Sequence, residues 1–78
     1  MKVQELERIT INPAVMGGRP TIRGMRVTVS TIVGLIASGH STERVLRAYP
    51  YLEDGDIQQA LQYAAWRSAE IELPLVAA

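Results

Sequence analysis

The stretch that decides the fold is Gly17–Val29, GGRPTIRGMRVTV. It holds Arg19, Arg23 and Arg26, three of the chain's six glycines, and no acidic residue. Glycine and proline interrupt it repeatedly, so no helix runs through it. It reads as a compact, basic, turn-rich segment. Pro20–Arg23 and Met25–Val27 are expected as two short strands, with Gly24 at the turn because the backbone there needs a positive φ. Upstream, Arg8-Ile9-Thr10-Ile11-Asn12 is β-branched, alternating and closed by Asn-Pro, which predicts a further short strand. Gly17-Gly18 marks a loop between them and could turn backbone N–H groups towards an anion.

Downstream of Val29 the period changes. Ile32, Leu35 and Ile36 fall at i, i+3 and i+4, which predicts a helix over Thr31–Ser38, capped by Thr28 or Ser30 and stopped by Gly39. Gly34 lies inside it at a cost of about 1 kcal/mol relative to Ala. Ser41 caps a second helix, Thr42–Tyr49, with Glu43 in its first turn and Val45, Leu46 and Tyr49 facing inward. Pro50 ends it. Leu52 anchors a short connection, and Asp54, reinforced by Asp56, caps a third helix that runs to Glu70 or Glu72 before Pro74. On that helix Ile57, Ala60, Leu61, Ala64, Ser68 and Ile71 share one face, expected to be the core. Gln59, Tyr63, Trp66 and Glu70 lie nearly opposite. Tyr and Trp on an outer face point to an interface, unless the N-terminal strands fold back over Trp66.

The chain has 78 residues, 47% of them hydrophobic, which is the size and composition of one domain. A domain of this size buries about 60–65% of its unfolded surface. The expected division is a basic β/turn segment at 8–29, a three-helix part at 30–72 and a short tail at 73–78. The fold class is mainly α: a tri-helical, homeodomain-like helix-turn-helix domain with a small N-terminal β element. Cysteine is absent, which excludes a disulfide scaffold, a thiolate zinc site and a cysteine nucleophile. The start lacks the apolar run of a signal peptide, and the longest apolar stretch, Val27–Ser38, is shorter than the roughly 18 residues a membrane span needs. A soluble, cytoplasmic protein is expected.

Net charge is zero but unevenly placed. Residues 1–40 carry Lys2, Arg8, Arg19, Arg23 and Arg26 against Glu5 and Glu7, or +3; residues 41–78 carry Arg44, Arg47 and Arg67 against six acids, or −3. A split of this kind suits a protein that meets an anion with one end and something else with the other. The alternative is a solvated surface with chance asymmetry.

Enzyme chemistry finds little support. His40 is the only histidine, beside a helix-terminating glycine. Ser30 and Ser41 are explained as caps, Glu53, Asp54 and Asp56 lack the spacing of a calcium loop, and there is no P-loop. No metal or cofactor is expected.

The second and third helices form a helix-turn-helix-like pair. In addition, Ile9-Thr10, Asn12-Pro13, Gly18-Arg19-Pro20, Ile22-Arg23-Gly24, Arg26-Val27 and Val29, continuing through Gly39-His40-Ser41, Tyr49-Pro50, Asp56-Ile57 and Tyr63-Ala64-Ala65, resemble the signature of the domain-of-unknown-function 433 family. The resemblance covers about residues 8–66; Met25, where the family usually has a small residue, is a mild departure. It implies a small helix-turn-helix domain with an N-terminal β element. It also implies an antitoxin role, many members being regarded as antitoxins encoded beside a PIN-like ribonuclease toxin.

The expected function is therefore an antitoxin that binds and neutralises a PIN-like nuclease, with operator double-stranded DNA as a second ligand and a homodimer as the binding form. Alternatives are a protein-interaction module, or a stand-alone DNA-binding regulator without a toxin. Candidate DNA contacts are Arg19, Arg23 and Arg26 for phosphates and Gln58 and Gln62, with Gln59 as a third glutamine, for base edges. At least one arginine is expected to pair internally. The acidic start of the third helix, Glu53, Asp54 and Asp56, works against phosphates. Candidate partner contacts are Tyr63, Trp66, Arg67 and Leu73.

Overall fold

The computed structural model describes residues 6–70. Leu73, the tail at 73–78, Glu72 and Ile71 lie outside the described residues. The order of elements is β1 (Ile9–Thr10), a 3-10 turn (Met16–Gly18), β2 (Thr21–Ile22), α1 (Val29–Ala37), α2 (Thr42–Ala48) and α3 (Asp54–Glu70). The chain is thus mainly helical, with a two-stranded antiparallel ribbon at its N-terminal side.

β1 pairs with β2 in the register Ile9–Ile22 and Thr10–Thr21. The expected hairpin between Pro20–Arg23 and Met25–Val27 takes a different form. Ile22 to Met25 is a tight turn in which the Met25 N–H donates to the Ile22 carbonyl at 2.8 Å. Both central residues have positive φ, 47° at Arg23 and 72° at Gly24, as a type I′ turn requires. The glycine was expected there; the left-handed arginine was not. Beyond the turn, Ile22 donates to Val27, and Thr28 bridges Thr21, so Met25–Val27 returns along β2 without forming a strand.

Thr28, one of the two candidates, caps α1 by accepting from the Thr31 N–H at 3.2 Å. The helix therefore starts at Val29, two residues before the expected Thr31. It closes with the Gly39 N–H on the Ile36 carbonyl and the His40 N–H on the Leu35 carbonyl, a Schellman arrangement with Gly39 at φ 98°. Ser41 caps α2 through the Arg44 N–H at 3.1 Å. At the start of α3 the expected Asp54 cap is displaced by one residue. Asp56 and Ile57 donate to the Glu53 carbonyl, and the Asp56 carboxylate reaches back to the Glu53 N–H at 2.8 Å. This is the returning half of a capping box, with Asp in the usual Glu or Gln position.

The core is Leu6, Ile22, Val27, Val29, Ile32, Val45, Leu52, Ile57, Ala60 and Tyr63. α1 packs most extensively on α3. The face of α3 is turned from the one expected. Leu61, assigned to the core, is 37% exposed, whereas Tyr63, assigned to the outer face, is 8% exposed. Asp56, Ala60 and Tyr63, at i, i+4 and i+7, point inward with Ile57. The reason is Asp56. Pattern reading treats a carboxylate as an outward cap, but here it is fully buried against the N-terminal ribbon and fixes the rotation of the helix. Trp66 is half-buried and packs on the core beside Tyr63, with ring centroids 5.8 Å apart.

Two glycines predict opposite outcomes for one substitution. Gly34 has ordinary helical geometry, and a Cβ added there meets nothing within 4 Å. Gly34→Ala should therefore stabilise the chain by about 0.8–1 kcal/mol, read as a Tm rise of several degrees. Gly24 also has open space but sits at φ 72°, so Gly24→Ala should lower stability by about 1–2 kcal/mol. Thermal unfolding of the two variants checks both signs.

Candidate functional site

The charged residues of the ribbon and of α3 meet at one buried carboxylate. Arg23 Nε donates to Asp56 Oδ1 at 3.0 Å and its Nη2 to Oδ2 at 2.8 Å, a bidentate fork. The same Nη2 reaches the Tyr51 carbonyl at 3.0 Å. Arg8 joins from β1's approach, its Nη1 lying 3.0 Å from Asp56 Oδ1 and 2.6 Å from Glu53 Oε1. The Arg8 guanidinium lies over Gly55, where a Cβ would fall 2.8 Å from its Cζ. The Arg8 N–H also donates to Gln59 Oε1 at 2.9 Å.

Burial pushes the Asp56 carboxyl upward, but the hydrogen bonds from Arg23, the Glu53 N–H and Arg8 outweigh it, and the pKa is lowered. The bonds to Glu53 and Asp56 raise Arg8, and the bond to Asp56 raises Arg23. The left-handed backbone at Arg23 belongs to the same arrangement: its N–H donates to the Arg8 carbonyl at 2.7 Å while its side chain turns onto α3.

A second feature lies along α1 and α3. An open groove of about 420 Å³ runs between them. α1 supplies Val29, Ser30 and Val33, α3 supplies Tyr63, Ala64 and Arg67, and Arg19 and Pro20 complete the lining. Its floor is apolar, no acid lines it, and both arginines are exposed. Among the described residues neither Arg19 nor Arg67 forms an ion pair. Arg67 also stands over the Trp66 ring, 5.8 Å from its centroid.

The model of a family described as a protein of unknown function, DUF433, matches residues 9–64. The chain belongs to this family. It is 43% identical over 58 residues to the uncharacterized protein y4eO of Sinorhizobium fredii; the match takes in 74% of this chain and 26% of y4eO. The chain thus corresponds to about a quarter of that relative. The crystal structure of a DUF433 member from Anabaena variabilis superposes with a TM-score of 0.75 at 33% identity, covering 87% of this chain and 68% of that one. The overall arrangement of this chain is accordingly shared with that DUF433 member.

Within this DUF433 chain the expected DNA contacts separate. Arg19 and Arg26 are exposed and make no ion pair among the described residues. Arg23 is the internally paired arginine. Gln58 and Gln62 are exposed on α3, while Gln59 is engaged with Arg8. At the Gly17-Gly18 loop, the Gly18 N–H is held by the Val15 carbonyl and the Arg19 N–H by Met16. Of the expected partner contacts, Tyr63 is buried, Trp66 half-buried and Arg67 exposed. Pattern reading missed Arg8 and the groove. The available signal for Arg8 was the charge split itself: an arginine-rich stretch without acids between Glu7 and Glu43, and an acidic cluster at 53–56 in the other half.

Among the described residues no group of three or more His, Cys, Asp or Glu side chains is placed to share a metal ion, and no helix is long and apolar enough to cross a membrane.

Asp56→Asn keeps the shape but removes the charge between two arginines. It should cost about 3 kcal/mol, the low end for a broken buried pair, because both guanidiniums keep contact with water. The pH dependence has a definite sign. With the folded pKa below the unfolded value of about 3.9, the carboxylate's contribution is whole above about pH 5 and is lost as pH falls through the folded pKa. Chemical denaturation between pH 7 and 2 should show a steep acid loss in the parent chain and a flatter profile in Asp56→Asn.

Proposed function

We propose that this DUF433 chain is an antitoxin-like regulator that acts by binding a protein, a PIN-like ribonuclease, and occluding its acidic metal site. The observation that carries the emphasis on protein over DNA is the distribution of cations. Along its exposed side α3 presents Asp54, Gln58, Leu61, Gln62, Ala65, Ser68 and Ala69, with no cation before Arg67. A helix entering a DNA groove is flanked by phosphates and gains most of its affinity from cations. Arg23, which would add one, is held by Asp56. Of the other exposed arginines, Arg19, Arg26, Arg44, Arg47 and Arg67, two stand beside apolar surface, Arg19 and Arg67, a combination that suits a protein partner with carboxylates. Family resemblance supports the antitoxin role, and the acidic metal site of a PIN-like nuclease is a natural target for an arginine.

A second reading, operator binding by a homodimer, draws on Arg19 and Arg26, both exposed. Two phosphate contacts per chain are four per dimer, which corresponds to a salt slope of about −3.6 in log K against log salt.

The test is affinity capture of the tagged chain from its native host, native mass spectrometry of the complex, and an RNA-cleavage assay of the captured partner with Mg²⁺. The expected result is a nuclease at fixed stoichiometry whose cleavage falls when the chain is added. A chain that brings down no nuclease, yet shifts its own promoter with a salt slope near that of two or more phosphates per chain, would replace the antitoxin reading with that of a stand-alone regulator.

A further inference from the structure

Gly34 has no explanation inside the chain. It is neither left-handed nor crowded, and it weakens α1. It stands on the exposed side of the helix, one step round from Ser30, which lines the groove. Ser30, Gly34 and Ala37 give that shoulder of α1 a low relief, over which another backbone can approach closely. The groove beside it has two further properties. Its helical walls repeat at i, i+4: Val29 and Val33 on α1, Tyr63 and Arg67 on α3. They form a trough that follows both helices, the shape into which the side-chain ridge of a third helix fits. The trough also couples an apolar floor to two exposed arginines without a single acid. A cavity of about 150 Å³ holds a benzene ring, so about 420 Å³ has room for more than one large apolar side chain.

Charge and shape together select the occupant. A phosphate backbone would satisfy Arg19 and Arg67 but leave the apolar floor wet. A neutral apolar helix would fill the floor and leave the guanidiniums unused. An aliphatic anion would match both but has no use for the low shoulder at Gly34. We propose that the α1–α3 groove is the docking site for an acidic amphipathic helix of the partner protein, its apolar side chains on Val33 and Ala64 and its flanking carboxylates on Arg19 and Arg67. This rests on the reading of the chain as a protein-binding regulator, and it assigns that partner's contacting element and its chemistry. Trp66, beside Tyr63 and under Arg67, reports occupancy.

The experiment uses the whole 78-residue chain and two synthetic helical peptides of equal length. Both carry Leu at i, i+3, i+4 and i+7; one has Glu on the flanks, the other Lys. Trp66 fluorescence and amide chemical shifts are followed during titration at low and physiological salt. The expected result is saturable binding of the Glu peptide, weakened by salt, with shifts centred on Ser30, Val33, Ala64 and Arg67, and little response to the Lys peptide. Arg19→Glu with Arg67→Glu should cut affinity for the Glu peptide at least tenfold and transfer binding to the Lys peptide. Gly34→Leu, at an open position, should weaken the Glu peptide severalfold while leaving Tm unchanged or raised.

Equal binding of both peptides, shifts centred elsewhere, or indifference to charge reversal would overturn the assignment. So would a groove filled by a second copy of the chain, seen as a dimer that Arg19→Glu with Arg67→Glu dissociates. So, too, would protection of the same amides by duplex DNA or anionic vesicles but not by the Glu peptide. The two proposals fail separately. If a captured nuclease complex persists unchanged in the charge-reversed double variant, the docking site falls and the antitoxin reading stands. If no nuclease is captured but the Glu peptide binds with the stated charge preference, the antitoxin reading falls and the docking site stands.

Discussion

The fold depends on one carboxylate. Asp56 is fully buried, and three independent parts of the chain supply its donors: Arg23 from the turn after β2, Arg8 from the approach to β1, and the Glu53 N–H at the start of α3. A buried ion pair is weak evidence for extra stability, because taking the charges from water offsets much of their attraction. What it does supply is geometry. A fork-shaped guanidinium on a carboxylate admits few arrangements. With Asp56 in the first turn of α3, those few set both where the ribbon sits and which way the helix is rotated. The exposed Leu61 and the buried Tyr63 follow from that rotation.

The helices were legible in the sequence because their signals are local. Thr28, Ser41, Gly39 and Pro50 each act within one turn of their own position, and the apolar spacing at Ile32, Val45 and Ile57 points each helix roughly at the core. The ribbon was legible as turn-rich but not in its pairing. β2 forms its ladder with β1 across a loop, while the segment just after Gly24 runs beside it with only a single bridge, and nothing in a run of two-residue strands fixes which neighbour takes the ladder. The face of α3 was misjudged for a more instructive reason. Periodicity ranks residues by hydropathy, and Asp56 ranks as surface. Its burial is created by residues 33 and 48 positions away, which no window along the helix can contain.

The same long reach altered the meaning of the charge distribution. A positive first half and a negative second half look like two ends meeting different partners. In the folded chain Arg8 and Arg23 close onto Glu53 and Asp56, so much of the split is cancelled internally. What is left outside is smaller: among the described residues Arg19, Arg26, Arg44, Arg47 and Arg67 are exposed and form no ion pair, two of them at the rim of the α1–α3 groove. The groove had no sequence signature: Ala64 reads as an ordinary core position, and Val29 and Val33 fall outside the stripe of Ile32, Leu35 and Ile36.

The latch between the ribbon and α3 also bears on where this unit begins and ends in longer proteins. The sequence likeness to DUF433 starts at residue 9 and stops at residue 64. A segment excised at those limits would omit Leu6, a member of the core, and Arg8, one of the two guanidiniums on Asp56. It would also omit Trp66 and Arg67 at the far end of α3. The physical unit is therefore longer than the recognisable one on both sides. A boundary drawn from likeness alone would remove one of the two guanidiniums on Asp56, and a graft or truncation of this chain has to keep residues 6–67 together to retain these contacts.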